Sequence, residues 1–202
     1  MKGYNKSVLI LLIVTSLTIF LVGCNKNNLI SISNELNDTK LSLNNCNSDL
    51  ELYKQILSFD SEFNVNFDDS IRADDYYNEF MLNYERGDYS TAELKCRSAR
   101  GYFSKVSDNY VNMKSEIGSY NNSIFDNLLS ALDYGRDINW NMYEACEHFE
   151  SASRYYSMYD YTTGDSEVDK ANEKIASHDN NVLKYNEKMS LFWKDVDKLI
   201  SK

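Results

Sequence analysis

The sequence predicts an all-α protein: an N-terminal anchor, a coiled-coil-like helix, and then either an antiparallel helical bundle or a set of helical hairpins. Three observations predict it. Proline is absent and glycine occurs only seven times in 202 residues, so few positions can break a helix or form a tight turn. Near the N-terminus leucine recurs at every seventh position, and further on apolar residues fall three and four apart over several long segments. The length fits one ordinary domain plus an anchor and a spacer.

Residues 1–23 have the three parts of an export signal: basic Lys2 and Lys6, an apolar run from Val8 to Val22, and the small residue Gly23 before the expected cut. Leu21-Val22-Gly23-Cys24, directly after that run, resembles the lipobox of prokaryotic lipoproteins. The resemblance implies that the Cys24 thiol receives a diacylglyceryl group and that the chain is cut before it. This covalent lipid is the only expected cofactor, with 24–28 as a short tether. Each buried CH₂ contributes about 0.8 kcal/mol, and one acyl chain holds a protein marginally where two hold it stably. The alternative is an uncleaved transmembrane anchor, although Val8–Val22 offers 15 residues against the roughly 20 that cross a bilayer. In either case the lysines stay on the cytoplasmic side, and the remainder lies on the extracytoplasmic face of the cell membrane.

Residues 29–59 read as a coiled-coil-like helix, roughly 45 Å long at 1.5 Å per residue. Leu29, Leu36, Leu43, Leu50 and Leu57 hold one heptad position, and Ile32, Thr39, Cys46 and Tyr53 hold the position three residues later. With the leucines at a, Glu35 and Asp49 fall at g, while Lys40 and Lys54 fall at e, the opposite-charge pairs of a parallel coiled coil. Parallel self-association through 29–59 is one expectation, with an interchain disulfide at Cys46; packing of the same stripe within the chain is the other. Asp60 to Asp68 breaks the pattern, so 60–69 reads as a linker.

Residues 70–202 read as a helical domain. Tyr89, Ala92, Cys96, Ala99, Phe103, Val106, Tyr110, Met113 and Ile117 form one apolar stripe. Met142, Ala145, Phe149, Ala152, Tyr156 and Tyr159 form a second, and Val182, Tyr185, Met189, Phe192, Val196 and Ile200 a third. The first two match at an offset of 53, pairing Ala92 with Ala145 and Ala99 with Ala152. Gly87-Asp88-Tyr89, followed by Ala92, Cys96 and Ala99, resembles the second helix of a tetratricopeptide repeat, where small residues let helices approach closely. That resemblance covers about 15 residues, and with the offset of 53 it makes duplicated helical hairpins one expectation. A plain up-and-down bundle accounts for the same stripes.

Removing 1–23 leaves 19 basic against 31 acidic residues, a surface that disfavours nucleic acid as a partner. Glu144 and His148 stand one helical turn apart and are the candidate metal ligands, but no zinc-type cluster completes a site, and no metal is expected. No phosphate loop, nucleophile elbow or calcium loop is present. With Cys24 lipidated, Cys46, Cys96 and Cys146 are odd in number. Tyr155 and Tyr161 lie off the second stripe and are the candidate binding surface. Tether, spacer and helical domain together lead to the expectation of a protein-binding or adaptor module of the cell envelope, its partner another envelope protein. The alternative is an envelope enzyme, or a bundle binding a small ligand or metal through carboxylates near His148.

Overall fold

The computed structural model describes residues 26–120 and 122–200. The candidate lipidation site, Cys24, lies outside them. Four α-helices account for nearly all the described chain: α1 (Lys26–Glu85), α2 (Tyr89–Gly118), α3 (Asp126–Ser157) and α4 (Tyr161–Ile200), with a 3₁₀ turn at Ser123–Phe125. No strand occurs among the described residues, and none of their helices is long and apolar enough to cross a membrane. The chain divides into two compact units, Met1–Lys54 and Gln55–Lys202.

In the first unit the chain is helical from Lys26. Leu36, Leu43 and Leu50 of the heptad stripe are 54%, 53% and 54% exposed, and Cys46 is exposed as well. At these four positions, burial within the chain is therefore not observed. Thr39, a weak helix former, returns its hydroxyl to the Glu35 carbonyl at 2.7 Å, a bond that lets it sit mid-helix.

The second unit is an up-down-up-down four-helix bundle built from residues 55–85 of α1 together with α2, α3 and α4. Asp69 meets Lys105 at 2.7 Å and Tyr76 stacks on Tyr102, so α1 and α2 run antiparallel. Arg97 with Glu150 and Lys114 with Asp133 set the same relation for α2 and α3, and His148 with Glu167 and Asn127 with Asp195 for α3 and α4. Phe59 against Phe192 closes α4 onto α1. Ala73, Ala92, Ala99, Ala145, Ala152 and Ala171 are fully buried and let the axes come close, while Phe80, Phe103, Phe149 and Phe192 fill the interior.

Two expectations need correction. Residues 60–69 are not a linker: they are helical and part of the bundle, and the boundary between units falls at 54/55. Two of their polar side chains are buried against α2. Asp69 is buried against Lys105, and buried Asn66 accepts from Asn109 at 3.2 Å. The apolar positions also change phase, with Ile56, Phe59, Ala73 and Phe80 turned inward while Leu57, Phe67 and Ile71 stay exposed.

The second correction concerns the tetratricopeptide-like form of the hairpins and their offset of 53. The first two stripes lie on uninterrupted helices of 30 and 32 residues, where a repeat of about 34 residues would need a turn inside each. The offset of 53 joins two antiparallel neighbours with similar alanine spacing. The repeated unit is longer: the α1–α2 and α3–α4 hairpins correspond at 72 residues, matching Ala73 with Ala145, Tyr84 with Tyr156, Asp88 with Asp160, Thr91 with Thr163 and Ala99 with Ala171.

Candidate functional site

The two hairpin turns lie at one end of the bundle and are built alike. α1 ends with Gly87 at φ +75°: Gly87 N–H donates to the Tyr84 carbonyl and Asp88 N–H to the Asn83 carbonyl, both at 3.0 Å. α3 ends the same way with Tyr159 at φ 62°, its N–H on Tyr156 and that of Asp160 on Tyr155, again at 3.0 Å. Both are Schellman closures with a left-handed residue just past the helix. The aspartate after each then caps the next helix, as Asp88 accepts from Thr91 N–H and Asp160 from Thr163 N–H, each at 3.2 Å.

These closures gather five tyrosines. Tyr89 lies 5.6 Å from Tyr84 and 5.2 Å from Tyr156 between ring centroids; Tyr156 lies 5.8 Å from Tyr84 and 5.9 Å from Tyr161. Tyr159 meets Tyr161 edge-on at 6.5 Å. Beneath them Tyr84 contacts Phe80 and Phe149 of the core. Gly164 makes room for the Tyr156 ring, since a Cβ there would fall 2.6 Å from it. The Tyr156 hydroxyl donates to Asp165 at 2.5 Å. Burial first, then Asp165 and Tyr84, push its pKa well above the ordinary tyrosine value; burial does the same to Tyr84. Met158, Tyr159 and Tyr161 are 65%, 79% and 54% exposed at the outer rim. The cluster is thus anchored inward and open outward.

Of the two candidate binding tyrosines, Tyr161 belongs to this group, whereas Tyr155 is half-buried. Tyr159, on the second stripe, is exposed because the helix stops at Ser157. Tyr84 and Tyr89 are the members that sequence reasoning missed; the recurrence of Tyr, Asp, Tyr and Thr at an interval of 72 is the signal that finds them.

The candidate metal ligands are separately engaged. Glu144 pairs with Lys174 at 2.9 Å, and His148 Nδ1 lies 2.7 Å from Glu167, which also holds Lys170. No group of three His, Cys, Asp or Glu side chains suited to a metal ion occurs among the described residues. A denser cluster lies on α2 and α3, also missed from sequence. Buried Glu150 is ringed by Arg97 at 2.9 Å, Arg154 at 3.3 Å and Arg100 at 3.2 Å, and Glu93 bridges Arg97 and Arg154. Glu147 completes a balance of three acids with three bases, so the ring carries no charge surplus for an anion. At the opposite end of the bundle a shallow depression lined by Ile117, Asn122, Phe125 and Asp126 brings no pair of titratable groups together. No protein-family model, curated protein or solved structure matches the chain.

Proposed function

We propose that the protein is a lipid-anchored, extracytoplasmic binding or adaptor module of the cell envelope, which self-associates in parallel through its heptad helix. The observation that carries this reading is the exposure of Leu36, Leu43 and Leu50 on one helical stripe, an unpartnered apolar face that costs solubility unless something covers it. The occupant is a second copy. In a parallel pair Glu35 faces Lys40 and Asp49 faces Lys54 across the seam, a charge complementarity that the sequence supplies by itself. Cys46, at a d position, then stands beside its twin. The tyrosine-rich end of the bundle offers a separate, amphipathic surface to an envelope protein, since tyrosine combines a large rigid contact area with a hydrogen-bonding tip.

The test has three readings. Mild oxidation of full-length protein in membranes yields a Cys46–Cys46 dimer, and Leu43→Lys reduces it; a monomer with no Cys46 crosslink overturns self-association. Cys24→Ser leaves a longer, unprocessed precursor, whereas residues 1–23 intact with a free Cys24 thiol in wild-type protein overturns the lipid anchor. On intact cells, a crosslinker at Tyr161 captures an envelope protein whose yield falls in Tyr159→Ala. Turnover of an envelope substrate that is abolished by Glu144 or His148 substitutions establishes the rival, enzymatic reading.

A further inference from the structure

Cys96 of α2 and Cys146 of α3 are both fully buried free thiols, and the Cys96 thiol donates to the Cys146 backbone carbonyl at 3.1 Å. Small buried residues surround the contact: Ala92 and Ala99 flank Cys96, Ala145 adjoins Cys146 with Ala152 further along α3, and all four alanines are fully buried. Small residues at a helix crossing bring main chains together, and the bridging of two cysteines depends on such an approach, with Cα atoms about 4.4–6.8 Å apart. Tyr77 of α1 packs against the same buried cluster, and its pKa is raised chiefly by burial and further by Cys146 and Cys96.

We propose that Cys96 and Cys146 are a disulfide-forming pair that ties α2 to α3 when the chain folds in an oxidising medium, leaving Cys46 as the thiol available between chains. Its occurrence in the cell rests on the extracytoplasmic location proposed above. The oxidant is a disulfide-bearing thiol compound or oxidoreductase. One cysteine thiolate attacks that disulfide, forming a mixed disulfide and releasing one thiol; the second thiolate displaces the other, so two electrons and two protons pass to the oxidant. Burial raises the Cys96 pKa far above that of a free thiol, so the folded chain holds few thiolates there. The exchange therefore belongs to the folding chain, before the core closes. The bond spans 50 residues, a loop long enough for cross-linking to restrict the unfolded chain appreciably.

The experiment uses the full chain in detergent, unfolded in denaturant and refolded with reduced and oxidised glutathione, after which free thiols are alkylated and peptides weighed. The expected result joins the Cys96 and Cys146 peptides and leaves Cys46 outside that link. The oxidised chain should melt about 5–10 °C above the reduced one. Cys46→Ala keeps the link and Cys96→Ala loses it. Alkylation of both Cys96 and Cys146 after refolding, or an oxidised chain that melts below the reduced one, overturns the proposal. Chain extracted directly from cells separates the two ideas: free Cys96 and Cys146 there, together with a bond that closes on refolding, leaves the pair intact and defeats the extracytoplasmic reading.

Discussion

The turns that close the two hairpins share their hydrogen bonds, capping aspartates and flanking tyrosines, and differ at the left-handed position, which is Gly87 in one and Tyr159 in the other. Glycine takes that backbone without strain; for an ordinary residue it costs roughly 1–2 kcal/mol. Tyr159 recovers little by burial, being 79% exposed. Its side chain is thus displayed at a position whose backbone disfavours it, and burial does not offset that cost. The hairpins also diverge in charge. Lys95 of the first pairs with Glu79 and stands 5.4 Å over the Tyr76 ring, whereas at the equivalent positions of the second Glu167 pairs with His148.

The largest effect should come from the floor beneath both turns. Phe80 and Phe149 pack 5.0 Å apart, and replacing either by alanine should lower stability by about 3–5 kcal/mol in denaturant titrations. The double variant should lose less than the sum, because the two rings share a contact. If the losses add, the turns rest on separate supports.

Next in size is the pair Ala92 and Gly164, which correspond across the repeat. Gly164→Ala pushes a Cβ into the Tyr156 ring and should cost about 1–3 kcal/mol despite the better helix former, while Ala92→Gly should cost about 1 kcal/mol from helix propensity and lost contact. Equal tolerance at both sites shows that the Tyr156 ring moves freely aside.

At the left-handed position the signs should oppose. Gly87→Ala should destabilise by about 1 kcal/mol and Tyr159→Gly should stabilise by about 0.5–1 kcal/mol. A loss on Tyr159→Gly instead assigns the ring a packing role and removes the argument for display.

The smallest effect concerns acid. Lys170 chiefly, and His148 in addition, hold the Glu167 carboxyl below its ordinary value of 4.5. The unfolded chain therefore binds more protons in that range, so the stability Glu167 contributes is present above the ordinary carboxylate pKa and lost as pH falls through the folded one. Thermal melts from pH 7 to pH 3 should show wild type losing its advantage over Glu167→Gln on acidification; a constant difference excludes the carboxylate as its source.

Helicity and most inward faces were legible because they are local properties: 3.6 residues per turn impose a spacing that Ala92, Ala99, Phe103, Phe149, Ala152 and Phe192 keep, and all six are buried. Asp69 and Asn66 looked like linker residues because their partners, Lys105 and Asn109, lie on another helix. The Glu150 ring, and the place of Tyr84 and Tyr89 beside Tyr156 and Tyr161, were hidden for the same reason, since each is assembled from more than one helix. Tyr159 left its stripe because a stripe does not mark where a helix ends. By itself, then, the sequence determined an all-α chain, the leucine heptad and the apolar faces of the later helices. Only the tertiary structure decided that residues 60–69 belong to the bundle, that the repeating unit is a long hairpin, and that Cys96 meets Cys146. Periodicity along a chain specifies which way a side chain points, whereas the identity of its neighbour depends on which helices meet and at what height.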